Sequence, residues 1–126
     1  MTDMDLKLAS ALRQQIQQLR ERRNSLEDQL LVRRRMLRAS FLERYLGTRR
    51  SKRRKPAYYL SYRKGGKTVL EYVRAEGRSG VRERAEAWGE FTAWLAEWVQ
   101  LGRELERNWR ELGQAQAEEP GGGSEG

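Results

Sequence analysis

Apolar residues recur at helical spacing in two long segments of the chain, and a short segment with a strand-like pattern lies between them. Across residues 5–46 a heptad frame places the apolar positions on a single seam. Beyond Leu30 the spacing drifts toward that of a straight helix, through Phe41 and Tyr45, and Gly47 stands where a helix-ending glycine would. We therefore predict one long helix here. Its seam comprises Ala9, Leu12, Ile16, Leu19, Leu26, Leu30 and Leu37, and Arg23 and Arg33 interrupt it.

The second segment, from about residue 81 to 115, has the more regular seam and predicts a second long helix. Large apolar residues occupy positions a and d of one continuous frame, so its tryptophans are expected in the core. Trp94, Val99 and Leu101 lie off the seam, widen the apolar face and suggest a further packing partner. Ser79, in the loop before the helix, is a candidate N-cap. The seam comprises Val81, Trp88, Phe91, Leu95, Trp98, Leu105, Trp109 and Leu112, and Arg84 and Gly102 interrupt it.

Residues 57–73 carry the pattern of a β-hairpin. Two runs rich in aromatic and β-branched residues flank Gly65 and Gly66, which can take the positive φ angles of a tight two-residue turn. In that register the two faces of the hairpin differ, but neither is fully polar. One face comprises Tyr58, Leu60, Tyr62, Val69 and Val73, and the other Tyr59, Ser61, Arg63, Thr68, Leu70 and Tyr72.

These elements predict a mainly α fold with a small β-hairpin, in the order long helix, basic connector, β-hairpin, long helix. The connector covers residues 47–56, and the helices are expected to form an antiparallel helical hairpin or coiled coil within one domain, residues 5–115. Because the core of such a fold is narrow, we expect a dimer. Composition predicts a disordered N-terminus over residues 1–4 and a flexible tail over 116–126.

Positive charge is concentrated in one third of the chain. Residues 33–67 hold fourteen Lys or Arg residues and a single acid, Glu43, whereas the whole protein has a net charge of +8. The remainder of the chain is therefore net acidic. A field this concentrated repels itself and favours a polyanionic partner.

The composition excludes several kinds of chemistry. The sequence has no cysteine and no histidine, so disulfides, thiolate or imidazole metal sites and histidine-based catalysis are ruled out. Gly66-Lys67-Thr68 is not a phosphate-binding loop, because Ser61 stands where its first glycine would and a strand pattern follows. We expect neither an enzyme nor a cofactor. With no apolar run of about 20 residues and no signal-peptide core, we expect a cytoplasmic protein, nucleoid-associated if prokaryotic, without a membrane partner.

Arginine, which dominates the basic run, binds phosphate through its planar fork, and neighbouring tyrosines can stack on unpaired bases. Strand tyrosines more often pack against neighbours. Tyr59 is the first candidate among them, because it shares with Arg63 the face with fewer core residues. The candidate nucleic-acid-binding residues are Arg34, Arg35, Arg38, Arg49, Arg50, Lys52, Arg53, Arg54, Lys55, Tyr59, Arg63, Lys64 and Lys67.

From Tyr58 onward the sequence resembles a small uncharacterised prokaryotic family. Its members carry a tyrosine-rich strand, a Gly-Gly-Lys-Thr turn, a strand ending in Tyr-Val and a helix with spaced aromatic residues. The matching positions, within about residues 45–105, are Tyr58 to Tyr62, Gly65 to Thr68, Tyr72-Val73, and Trp88 with Phe91. The resemblance implies a setting near transposases and other mobile-element genes. Relatives have a cysteine-containing segment where this chain has residues 48–56, so the metal role it implies does not extend to this chain.

We therefore expect a non-enzymatic protein that binds nucleic acid, DNA rather than RNA, chiefly through its phosphate backbone. It would act as a homodimer or as an accessory subunit of a mobile-element or nucleoprotein complex. The alternative is a coiled-coil structural or adaptor protein whose basic run docks an acidic protein, a reading that Trp94, Val99 and Leu101 favour.

Overall fold

The computed structural model describes residues 3–46 and 55–121, which form two helices and a small antiparallel sheet. The described residues fall into two compact units. The helical unit contains residues 3–32 and 94–121, and the sheet unit contains residues 33–46 and 55–93. The elements are α1 (Asp3–Leu31), β1 (Ser40–Leu46), β2 (Lys55–Lys64), β3 (Lys67–Tyr72) and α2 (Arg78–Gln116).

The helical unit is held together by apolar stripes on α1 and on the later part of α2. Buried or half-buried side chains recur every three or four residues on both helices, with Leu19 and Arg23 half-buried between Ile16 and Leu26 of α1. Glu27 of α1 accepts a hydrogen bond from Trp98, whereas Arg13 contacts Gln116, so the two helices are antiparallel. The stripes comprise Ala9, Leu12, Ile16 and Leu26 of α1 and Leu101, Leu105, Asn108 and Leu112 of α2.

Arg23 and Gly102, one interruption from each predicted seam, lie next to each other. Arg23 of α1 places its guanidinium over the ring of Trp98, 4.4 Å from the ring centre. A Cβ atom added to Gly102 would lie 4.0 Å from the same guanidinium. This is an ordinary van der Waals distance, so the arginine lies directly beside Gly102 in an otherwise apolar seam, and the tryptophan offers it a cation–π contact.

The predicted first helix is wrong beyond Leu31. Residues 40–46 form β1, which pairs antiparallel with β2 from Ser40 opposite Ser61 to Leu46 opposite Lys55. Leu37, Phe41 and Tyr45 are spaced by four, which fits one face of a strand as well as one face of a helix. Pairing with β2 decides between the two, and it makes the hairpin part of a sheet. Gly47, the predicted helix end, lies outside the described residues.

The sheet has the order β1-β2-β3, and one of its faces packs against the start of α2. We call this the inner face. Its core combines Leu60 and Val73 with Ala39 before β1 and Ala85 of α2, all of them buried. Phe41 stacks on Tyr58 at 5.5 Å between ring centres. A hairpin that would be marginal by itself is therefore supported by a third strand and a helix.

The predicted turn at Gly65 and Gly66 is confirmed. Their φ angles are +58° and +77°, and the hairpin pairs Lys64 with Lys67 directly beyond them. We expect Gly66→Val to destabilise the fold by about 1–2 kcal/mol, because a β-branched residue is strained at positive φ. Gly65→Asn is the control, since asparagine tolerates this region, and should change stability little. Urea unfolding followed by circular dichroism compares them; equal stability of the two variants would contradict the assigned turn.

The starts of α1 and α2 and the exposure of Trp109 differ from the predictions. α1 begins at Asp3, inside the segment for which the composition predicts disorder. Ser79 does not cap α2, because the helix begins at Arg78 and the N–H of Val81 already bonds to the carbonyl of Gly77 at 3.1 Å. Trp109 is 53% exposed rather than in the core, since the buried stripe passes through Asn108 instead. Nothing in the fold tests the predicted dimer, which stays a prediction.

Candidate nucleic-acid interface

The face of the sheet opposite α2 carries the strongest constellation of aromatic and cationic side chains. We call it the outer face, and the strand register defines it. Because alternate residues of a strand point to opposite sides, its members follow from the residues known to pack inward. They are Ser40, Leu42 and Arg44 of β1, Ala57, Tyr59, Ser61 and Arg63 of β2, and Thr68, Leu70 and Tyr72 of β3.

A row of apolar side chains crosses the outer face. Leu42, Tyr59 and Tyr72 are directly opposite one another on the three strands. The rings of Tyr59 and Tyr72 meet edge to face, with 5.8 Å between their centres and 72° between their planes. Tyr72 is 57% exposed and neighbouring Leu70 is 48% exposed. The row therefore presents aromatic surface to solvent from a rigid, paired backbone.

Arginines flank the row on both sides along the strands. Arg44 lies over the ring of Tyr59, 6.0 Å from its centre. Arg63 donates hydrogen bonds to the carbonyl oxygen of Gly66 at 2.8 Å and to the hydroxyl of Thr68 at 3.4 Å. Since a guanidinium has five N–H donors, these contacts orient Arg63 while leaving donor capacity for a phosphate.

The acidic residues of the strands lie on the other side of the sheet. Glu43 shares the inner face with Phe41, and Glu71 pairs with inward-pointing Leu60. Tyr45 belongs to that face too, and its hydrogen bond to Glu43 raises the pKa of the Tyr45 phenol. Across the described strands, the outer face thus combines arginines with neutral side chains and holds no carboxylate. This segregation makes the face attractive to an anion.

A cleft of about 370 Å³ brings together two of the predicted residues. Arg38, just before β1, and Arg63 both line it. Arg38 also lies over the ring of Trp88, 5.8 Å from its centre. Ser40 and Ser61, paired across β1 and β2, supply hydroxyls between them. The remaining lining residues are Ala39, Tyr62 and Trp88, so the cleft is cationic and polar without an acid among them.

Arg34 and Arg35 belong to a different place in the sheet unit. They line a separate cavity of about 500 Å³ together with Glu83 and Arg84 of α2. Arg34 also forms an ion pair with Glu90 at 2.9 Å, which offsets part of its charge. These two predicted residues are therefore less suited to an external phosphate than Arg38 and Arg63.

The remaining predicted residues divide between the hairpin end and the basic connector. Lys64 and Lys67 are exposed and directly opposite each other beside the turn. Lys55 is exposed at the start of β2. The other five predicted residues, Arg49, Arg50, Lys52, Arg53 and Arg54, lie outside the described residues.

Two arginines at the start of α2 contact aromatic rings of the inner face, and a third bonds within the helix. Arg78 lies over Tyr58 at 4.3 Å from the ring centre, and Arg82 lies over Phe41 at 5.4 Å. Arg82 also pairs with Glu86 at 2.9 Å, and this hydrogen bond raises the pKa of its guanidinium. Arg84 donates to the carbonyl of Gly80 at 3.2 Å. Basic residues in this unit are thus not all available to a ligand.

Sequence reasoning missed Arg44, Leu42 and Tyr72 as members of the site. The first two lay in the predicted helix, so their place beside Tyr59 could not be seen. Tyr72 was assigned to the correct face, and its exposure in the folded unit makes it a candidate for contact with a ligand. The signal that would have found Arg44 is the alternation of residues 40–46, which points Phe41 and Tyr45 to one side and Arg44 to the other.

Within the described ranges, no group of three or more acidic side chains is placed to hold a metal ion. None of the described helices has the length and apolar character needed to cross a bilayer.

Comparison with known proteins gives a family without an assigned activity. The model of the family described as a domain of unknown function, DUF6788, matches residues 11–83, which is more than half of the chain. The chain belongs to this family. The DUF6788 match includes all the described candidate residues and the whole sheet, and it starts earlier than the resemblance expected from about residue 45. No curated protein and no solved structure is similar enough to the chain to count as a match.

Proposed function

We propose that this protein is a non-enzymatic nucleic-acid-binding protein that holds DNA, in preference to RNA, mainly through its phosphate backbone. The observation that carries the proposal is the division of charge between the two units. The sequence range 33–93, which holds the sheet unit, has eighteen Lys or Arg residues and six Glu residues. The rest of the chain has eight Lys or Arg residues and twelve acids. Residues 33–93 therefore have a net charge of +12 and the rest of the chain has one of −4. This difference favours binding of a polyanion at the sheet unit.

The side chains of the sheet unit support the same function. Arg38 and Arg63 share a cationic cleft, Lys64 and Lys67 face each other at the hairpin end, and Arg44 borders the aromatic row. Phosphate binding by such a surface releases counterions, which gives affinity without reading the base sequence. The basic run from Arg49 to Lys55 would add backbone contacts of the same kind. Specific base readout is not part of the proposal, because no zinc module or recognition helix supports it.

The same proposal includes three further points. The protein works in a mobile-element or other nucleoprotein complex, it is a dimer, and it is located in the cytoplasm or nucleoid. The mobile-element setting follows from the family resemblance and the dimer from the narrow helical core, rather than from any contact of the sheet unit. The cysteine segment attributed to relatives has no counterpart in residues 48–56. In this chain the basic side chains of that segment would instead attract the phosphate backbone of DNA, without a metal.

One observation favours a second function, docking to another protein. The helical unit exposes apolar side chains, among them Leu31 at 82%, Leu95 at 42% and Val99 at 41%. Leu31, Leu95 and Trp98 line a shallow apolar cavity of about 350 Å³ in this unit, together with Leu30 and Glu27. An adaptor would use this surface for a protein partner and the basic run for an acidic one.

Fluorescence anisotropy across a salt series tests the proposed function. Labelled duplex DNA, single-stranded DNA and RNA of equal length are titrated with the protein between about 50 and 200 mM salt. A protein that makes six or more phosphate contacts should lose on the order of 10³-fold in affinity over this range. Binding that is weak at low salt and insensitive to salt would overturn the proposal. Capture of partners with and without nuclease treatment tests the adaptor, whose complexes should survive the nuclease.

A further inference from the structure

We propose that the outer face of the sheet binds unpaired bases, so that the preferred ligand is single-stranded DNA rather than duplex. This inference rests on the proposed function and specifies which form of the nucleic acid that function uses. It follows from the kind of surface that the described strands present, and not from the basic connector.

The row formed by Leu42, Tyr59 and Tyr72 has the dimensions of a stacking platform. Neighbouring strands lie about 4.8 Å apart, so the row extends about 10 Å across the sheet. The edge-to-face contact with Tyr59 orients the ring of Tyr72 relative to its neighbour, while more than half of Tyr72 stays exposed. Exposed aromatic rings on a sheet face are a known platform for splayed bases, because every base has a π-face.

Cations stand where the backbone of a bound strand would run. Arg63 and Tyr59 are four residues apart on the same face of β2, a distance of about 13 Å, and Arg44 lies beside Tyr59. A strand whose bases rest on the row can therefore meet one arginine on each side. The cleft that Arg63 shares with Arg38 would extend the path for phosphates.

A duplex would make poor use of this surface. Its bases are stacked on each other and present only their edges in the grooves, so the tyrosine rings would find phosphates and sugars instead of base faces. The rings of Tyr59 and Tyr72 would be covered without a base to stack on, and Leu70 would be covered by polar groups. A single strand offers both the phosphates and the base faces.

A second copy of the chain is a poorer occupant of the same face. The outer face carries Arg44 and Arg63, and both acids of the strands point inward. Two such faces in contact would bring like charges together without a compensating carboxylate, which is destabilising. Charge complementarity thus favours a polyanion.

Two tyrosines of nearly equal exposure provide a matched pair of variants. Tyr72 on the outer face is 57% exposed, and Tyr45, whose register places it on the inner side of β1, is 58% exposed. The full chain and the variants Tyr72→Ala, Tyr45→Ala and Tyr72→Phe are titrated with four probes. These are oligothymidylate of about 15 nucleotides, an abasic strand of the same length, a duplex of the same length and oligouridylate.

We expect Tyr72→Ala to weaken oligothymidylate binding at least about fivefold, the loss typical of one stacked base. Tyr72→Phe keeps the ring and should bind as the unaltered chain does, and Tyr45→Ala should change binding less than twofold. Duplex and abasic strands should be insensitive to Tyr72→Ala, because neither presents an open base. The unaltered chain should also prefer oligothymidylate to the abasic strand, a comparison that needs no variant to fold. A Tyr72-dependent preference for oligouridylate would retain the stacking of unpaired bases on the outer face but overturn DNA as the ligand.

Other results overturn the inference in distinguishable ways. The stacking inference is wrong if Tyr72→Ala and Tyr45→Ala have equal effects, or if oligothymidylate and the abasic strand bind equally well. If the binding still depends steeply on salt, the proposed backbone binding stands. Failure to bind any of the probes at low salt would overturn both proposals. If sedimentation of the protein alone shows a dimer that Tyr72→Ala dissociates, the outer face is a self-association surface and the inference is wrong.

Discussion

Replacing the six Lys and Arg residues between positions 49 and 55 by glutamine should weaken DNA binding at least about 100-fold at 50 mM salt. Each phosphate contact by Lys or Arg adds about 0.9 to the magnitude of the log–log salt slope on duplex DNA, and about 0.7 on a single strand. If all six contribute, the slope should decrease in magnitude by about 5 and 4, respectively. The substituted residues are Arg49, Arg50, Lys52, Arg53, Arg54 and Lys55.

A second set of six substitutions separates local from overall charge. Six exposed cations of the helical unit can be replaced by glutamine, which changes the net charge of the protein by the same amount. If binding depends on the sheet unit and its connector, this control should keep most of the affinity and the salt slope. Equal losses in the two variants would show that net charge alone attracts the DNA, contrary to the proposal. The control residues are Lys7, Arg13, Arg20, Arg103, Arg107 and Arg110.

Leu26→Ala should produce the largest loss of stability among single substitutions in the helical unit. Leu26 is 0% exposed, so truncation removes a completely buried side chain and leaves a cavity. The expected cost is about 2–5 kcal/mol in the free energy of unfolding. Urea unfolding monitored by far-ultraviolet circular dichroism measures it, and the slope of the transition shows whether a single transition is retained.

Leu31→Ala is the control for this substitution, on the same helix and with the same atoms removed. Leu31 is 82% exposed, so the change in stability should stay within about 0.5 kcal/mol. A loss at Leu31 as large as that at Leu26 would mean that Leu31 is buried in solution by another molecule. That outcome would contradict the packing described for α1 and favour the adaptor function.

The hairpin and the second helix could be predicted because their signals are local. Two adjacent glycines specify the turn, and the alternation around Tyr59 and Tyr62 assigns the faces before any tertiary contact is known. The apolar periodicity of α2 runs from Val81 to Leu112, about nine turns, so the helix could be predicted without knowledge of a partner. Its first turn was misjudged, and so were the exposure of Leu95 and Trp109 and the burial of Leu101, because these depend on contacts outside the local pattern.

β1 could not be predicted from its own residues. Phe41 and Tyr45 fit either a helix or a strand, and the choice is made by hydrogen bonds to β2, which follows in the sequence. The composition of the outer face depended on that choice, since Arg44 joins Tyr59 only when β1 is paired. The concentration of charge was visible in the sequence, whereas the inward placement of Glu43 was not, because it depends on the pairing of β1.

The meeting of Arg23 with Gly102 limits how the helices of the helical unit can slide along each other. Leucines at heptad spacing would accept a shift of one heptad, about 10 Å, nearly as well as the observed alignment. In a shifted alignment the guanidinium of Arg23 would leave the ring of Trp98, and Leu95 or Trp109 would take the place of Gly102 beside it. A charged group in an apolar seam therefore penalises the wrong alignments more than it helps the right one. Two residues that break the leucine pattern therefore favour one alignment of these helices over the shifted ones.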